Sequence, residues 1–194
     1  MEEIQHVTWD LDGTELAEWQ AIQRLYRAGF QDMLTLGTMF AIIEGESGSY
    51  TRAWHANVTR TTDNNEIVRD SRNGIDFMCI ESIDLGFIQY NVKAGPQWIA
   101  MTVDAMAIFV DAQFAKRPEL ADAQLSSEIA HDLFIDRGFQ PWYAYKPGTI
   151  GFYQKKRRAA KAIGDWYLRT QVGRLAHVSE DGGNFPRLKF IDQS

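Results

Sequence analysis

The sequence predicts a single, mainly α-helical domain. Three observations carry this reading. Apolar residues recur at helical spacing in five segments along the chain. The 194 residues are 45% apolar and 24% charged, the composition of one packed core. No internal repeat or low-complexity run divides the chain.

From Thr14, the positions Leu16, Trp19, Ala21, Ile22, Leu25 and Tyr26 repeat as one face of a helix, with Asp12 or Thr14 placed to cap it and Gly29 to end it. Asp32 can cap a second helix. Its apolar residues Leu34, Leu36, Met39, Phe40, Ile42 and Ile43 nearly encircle the axis and so predict burial. That helix runs into Glu44-Gly45-Glu46-Ser47-Gly48. Residues 60–74 are rich in Asn, Asp, Ser and Gly and read as a loop, with a short hairpin around Ile67 and Val68. A short element follows around Leu85 to Val92, then a helix from Thr102 to Phe114. Pro118 fits the first turn of a further helix carrying Leu120, Leu125, Ile129, Leu133 and Phe134 to a stop at Gly138. Gln140 to Gly148 is irregular and aromatic. A last helix is expected from Thr149 to about Val172, with Lys155 to Arg158 on a solvated face. The domain is thus read over 1–172, with 173–194 as a short C-terminal extension.

Composition excludes several function classes. One cysteine, Cys79, forms no intramolecular disulfide and no multi-thiolate zinc site, and a buried, inert thiol is expected. A formal charge of −6 disfavours a protein devoted to nucleic acid phosphates. The acidic segment Met1 to Asp12 does not read as a signal peptide, and Met39 to Ile43 and Ala105 to Val110 fall far short of the roughly 18–20 residues that span a bilayer, so no stable membrane insertion is expected. His6, His55, His131 and His177 lack ligand spacing, so neither a metal nor a cofactor is expected.

Three segments carry candidate chemistry. Glu46 ends an almost wholly apolar helix. The partial negative charge of a helix C-terminus and apolar surroundings both disfavour ionisation, so such a carboxyl holds a proton that it can donate as a general acid. The alternative is a solvated helix end. Glu44 points roughly 200° around the helix from Glu46 and is the weaker acid candidate. In Glu81 to Asn91, Asp84 precedes Gly86, where a backbone can approach a ligand, and Gln89 offers donor and acceptor; here the alternative is a capped short helix with a surface Gln. In Pro141 to Tyr145, the rings of Trp142, Tyr143 and Tyr145 suit stacking on sugar faces or, equally, a core cluster.

Taken in order, these segments resemble soluble lytic transglycosylase and goose-type lysozyme domains, in the form found in phage. Ala28-Gly29-Phe30 followed by Phe40 to Gly48 (FAIIEGESG) is similar to the family's catalytic start, whose helix ends in an A-I-x-x-x-E-S-G pattern. Ser82 to Asn91 (SIDLGFIQYN) is similar to its S-x-D-x-G-L-x-Q-I-N segment, with Phe87 for Leu and Tyr90 for Ile. Leu133 to Gly148 (LFIDRGFQPWYAYKPG) looks like the W-x-P-W-x-x-Y-x-x-G segment of phage members. The likeness covers about Arg24 to Ile163. The chain departs from the pattern after Gly48, where SYTRAWHANV replaces the expected Asn-Pro, and between His55 and Ile80, where it is longer.

The resemblance implies a lysozyme-like fold, α+β with a small or vestigial β part. It also implies cleavage of the bond between N-acetylmuramic acid and N-acetylglucosamine in peptidoglycan. Glu46 would be the acid. In transglycosylases the same carboxylate then draws the proton from the muramic 6-hydroxyl to close an anhydro ring; in lysozymes water takes that place. Inverting hydrolysis needs a second carboxylate about 6.5–9.5 Å away. Asp84 is the candidate, with helix capping as its other role. Ser47, Gly86, Gln89, Tyr90 and Trp142 would bind substrate, and Tyr145 would hydrogen-bond near Glu46. Peptidoglycan strands are the implied partner, with other phage tail proteins as further ones. The expected location is the virion, or the host cytoplasm before release to the wall. The rival reading is a non-catalytic tail or baseplate protein that keeps the fold.

Overall fold

The computed structural model describes residues 9–10, 13–58, 69–72 and 75–180. Helices α1 (Glu18–Ala28), α2 (Met33–Glu46), α3 (Val103–Lys116), α4 (Ala123–Arg137) and α5 (Ile150–Glu180) accompany strands β1 (Trp9–Asp10), β2 (Trp54–Val58), β3 (Arg69–Arg72), β4 (Ile75–Leu85), β5 (Tyr90–Lys93) and β6 (Ile99–Met101). The strands form one six-stranded antiparallel sheet. The fold is therefore helix-rich α+β.

Helix α2 is the centre of the first core. Every residue from Leu36 to Ile43 is buried, as expected for a helix apolar on all sides. Asp32 starts it by accepting the Thr35 N–H at 2.8 Å. Around it pack Ile22 and Leu25 of α1, Ala130 of α4, and Phe152, Ala159 and Ala162 of α5. Helix α1 begins at Glu18, later than the pattern from Thr14 suggests. Thr14 and Leu16 are held elsewhere: the Leu16 N–H donates to the Ser49 carbonyl and the Thr51 N–H to that of Thr14. Helix α1 ends at Gly29, whose φ of 123° brings it flat against the His131 ring.

The sheet makes the second core. Strand β4 is central, with β2 and β5 on its two sides over Ser82 to Leu85. Trp54, Ala56, Ile83 and Leu85 turn one face to Met106, Val110 and Phe114 of α3. The period of two puts His55, Asn57, Ser82, Asp84 and Asn91 on the other face. A small antiparallel sheet beside the helices is compatible with the mainly α, α+β class expected above. Its longest strand begins at Ile75, at the edge of the predicted loop. The hairpin expected around Ile67 and Val68, and Asp12 as a cap, lie outside the described residues.

Two further boundaries differ from the sequence reading. Pro118 opens only a 3-10 turn, Pro118–Leu120, and α4 starts afresh where Asp122 accepts the N–H groups of Gln124 and Leu125. Leu125 is exposed, because the restart rotates the helix face. Helix α5 does not end near Val172 but continues through Gly173 to Glu180, so the proposed break between domain and extension falls inside a helix. The cluster from Lys155 to Arg158 is not simply solvated: Arg158 pairs with Glu18 at 2.7 Å and with Glu44 at 2.8 Å.

Candidate functional site

The two cores leave a groove of about 660 Å³ between the polar face of the sheet and the helical side of the molecule. Asn57, Glu81, Ser82, Asp84 and Asn91 line the sheet wall; Leu133, Arg137, Pro141, Trp142 and Tyr143 line the other. Glu46, Ile88, Gln89 and Tyr90 complete the lining.

Glu46 is the last residue of α2, where the buried helix meets this groove. Its Oε1 accepts the Ala144 backbone N–H at 2.6 Å. Burial pushes the carboxyl above its ordinary range. The Ala144 N–H opposes that shift, the negative charge of Asp84 reinforces it, and the ammonium groups of Lys146 and Lys155 pull it back. A carboxyl placed in this way keeps a proton to higher pH than a solvated one, which suits a general acid. Glu44 has a different use: its side chain is buried and bound by Arg158 and by the Ser49 hydroxyl at 2.8 Å.

Asp84 lies on a strand and not on a helix, so capping is not its role. Its Oδ2 accepts from the Asn57 amide at 2.9 Å and its Oδ1 from the Asn91 amide at 2.6 Å. Both amides also donate to the Ser82 hydroxyl, at 3.1 and 2.9 Å. The carboxylate is thus gripped from both neighbouring strands. His55 pairs across from it in register. Burial lowers the imidazole pKa, and Asp84 partly offsets this. Between Asn57 and Val58 the register with β4 slips by one, leaving Glu81 as the extra residue of a bulge, and Glu81 joins the groove lining.

Gln89, Tyr90 and Trp142 reach the groove as the sequence reading expects. Gln89 holds a left-handed backbone, φ 53°, and its amide donates to the carbonyls of Ala53 and Gly86 at 3.1 and 2.9 Å, so its donor end is committed to the fold. The Trp142 indole N–H donates to the Ile88 carbonyl at 3.0 Å, pinning the segment that supplies the Ala144 N–H. Arg117 stacks on the Tyr90 ring, 4.3 Å from its centroid.

Three further residues that the sequence reading places at the site are not in the groove lining. Ser47 is wholly buried, and its hydroxyl donates to the Phe87 carbonyl at 2.8 Å, tying the end of α2 to the turn after β4. Gly86, at φ 75°, lies close against the Leu120 carbonyl, and a Cβ there would collide with that oxygen. The Tyr145 ring packs between Phe139 and Phe152, with centroids at 5.1 and 5.8 Å, and the Ala144 N–H serves Glu46 in its place.

Sequence reasoning missed Asn57, Glu81, Ser82 and Arg137 as site residues and gave Asn91 no role. The available signal was the alternation of WHANV, where Trp54 and Ala56 face the core and His55 and Asn57 face away. Comparison with known proteins returns nothing: no protein-family model, no curated protein and no solved structure matches the chain.

Proposed function

We propose that this protein is a muramidase of lysozyme-like fold that cleaves the β-1,4 bond between N-acetylmuramic acid and N-acetylglucosamine in peptidoglycan. The observation that carries the reading is Glu46, a half-buried carboxyl with a raised pKa at an open, amide-lined groove, with Asp84 as a second carboxylate in the lining. Amide and hydroxyl groups on the sheet wall and the Trp142 and Tyr143 side chains on the other match the polar edges and apolar faces of sugar rings.

Glu46 donates its proton to the glycosidic oxygen as the bond to the anomeric carbon breaks. Asp84, fixed by Asn57 and Asn91, orients the water that attacks that carbon. With water as acceptor the product carries a reducing muramic end. If the muramic 6-hydroxyl were the acceptor, Glu46 alone would serve as acid and then base, and an anhydro end would form.

The motif style favours a phage enzyme, acting from the virion beside other tail proteins or made in the host cytoplasm before release to the cell wall. Among the described residues no helix is long and apolar enough to cross a membrane. The test is release of soluble muropeptides from purified peptidoglycan. Glu46→Gln should lower it at least about 100-fold, the usual minimum for loss of a general acid, while the protein stays folded. Unchanged release by the variant removes Glu46 as the acid. No release by the native protein across wall types and pH favours the non-catalytic tail protein instead.

A further inference from the structure

Charge is distributed unevenly around the groove. Glu46, Glu81 and Asp84 put three carboxylates into its lining, and Arg137 is the one basic side chain there among the described residues. Arg137 sits in the last turn of α4, one turn after Leu133, another lining residue. Its Nε donates to Asp136 at 2.9 Å, and that pair is largely exposed, with 64% and 68% of the side-chain surface accessible. The terminal nitrogens of the guanidinium have no partner among the described residues.

An exposed pair of this kind contributes little to stability. A planar guanidinium with its terminal edge open is, however, the side chain best suited to grip a carboxylate through two parallel hydrogen bonds. An anionic ligand is repelled by the carboxylates of the groove and meets Arg137 as the basic side chain of its lining, with the Lys146 ammonium nearby over the Tyr143 ring at 3.7 Å.

Resting on the muramidase reading above, we propose that Arg137 binds a carboxylate carried by the lactyl substituent of the muramoyl unit, and so selects this glycan over a neutral chitin-like one. The carboxylate is either that of the lactyl group itself, in strands stripped of peptide, or one in the attached peptide stem. The neutral N-acetylglucosamine units then lie along the sheet wall, with the substituted face of the muramoyl unit turned toward α4.

The experiment compares kcat/KM on three glycan preparations: strands with a free lactyl carboxylate, the same strands with that carboxylate converted to a methyl amide, and strands with intact stems. The native protein should prefer one of the carboxylate-bearing strands over the methyl amide by about tenfold, the effect of one charge-assisted contact at a partly exposed site. In Arg137→Gln that ratio should fall to about one, through KM, and Arg137→Lys should restore part of it. Preference for free-lactyl strands identifies the lactyl group as the source; preference for stem-bearing strands identifies the peptide. Equal ratios in native protein and Arg137→Gln, with turnover intact, overturn the assignment of Arg137 and leave the muramidase reading standing. Absence of turnover by the native protein on all three preparations overturns both.

Discussion

The two sides of the groove hold a carboxylate by opposite means. On the helical side Glu46 closes a helix that is buried on every face from Leu36 to Ile43, though Leu34 at its start is exposed, and it receives one backbone N–H, from Ala144. On the sheet side Asp84 is clamped between two side-chain amides from two different strands, and the same amides secure Ser82 beside it. The first arrangement leaves burial as the dominant influence on the proton. The second fixes the direction in which the oxygens point. On the function proposed above, the two carboxyl groups would take two tasks, proton donation by Glu46 and orientation of the attacking water by Asp84. Glu44, only two residues from Glu46, shows a third outcome: buried and paired with Arg158, it serves the fold.

That contrast can be broken from either side. The largest effect after loss of the acid is expected at the clamp. Asp84→Asn keeps shape and loses charge, and should lower formation of reducing-end products about 100-fold, as expected for a group acting directly on the attacking water. Product analysis by mass spectrometry checks this, and any residual anhydro product would measure the route that Glu46 can run alone.

Trp142→Phe attacks the helical side. It leaves the buried Ile88 carbonyl without its donor and frees the segment that presents Ala144. A loss of about 2 kcal/mol of stability is expected in denaturant titration.

Smaller still, Asn57→Ala and Asn91→Ala should each lower kcat about fivefold, the worth of about 1 kcal/mol of a lost hydrogen bond. KM should change less than kcat, because the amides position a catalytic group and leave most of the groove intact. Steady-state kinetics separate the two.

The smallest effect concerns stability against pH. The Glu46 pKa is raised in the folded state, so the folded chain binds this proton more tightly than the unfolded one. The resulting stabilisation is full below the ordinary carboxyl range and is lost as pH rises through the raised value. Glu46→Gln should therefore melt higher than the native protein near neutral pH, with the two curves converging in acid.

Much of the helical side is legible in the sequence, because its signals are local. Asp32 before an apolar run, Gly29 and Gly138 at helix ends, and the encircling apolar residues of α2 each act within a few residues of one another. The sheet is less legible. Its pairing joins Asn57 to Ser82 and Asp84 to Asn91 across the chain, and the bulge at Glu81 interrupts the alternation that would have marked β4. Gly173 sits within a helix that continues past it to Glu180, so its propensity is a poor guide there. Glu46, Asp84, Gln89, Tyr90 and Trp142, which side-chain chemistry marks in the sequence, all line the groove. Ser47, Gly86 and Tyr145 are not in the lining; they meet backbone carbonyls and core rings whose approach depends on the tertiary fold. The N–H that serves Glu46 belongs to an alanine, a residue type that gives no chemical signal.

The most direct test of the account is the mass of the products that the native protein and Glu46→Gln make from purified peptidoglycan. The account predicts soluble fragments from the native protein, each cut between N-acetylmuramic acid and N-acetylglucosamine and ending in a reducing muramic unit, and almost none from the folded variant. Intact strands after prolonged incubation with the native protein, or the same fragments from Glu46→Gln at an undiminished rate, would contradict it.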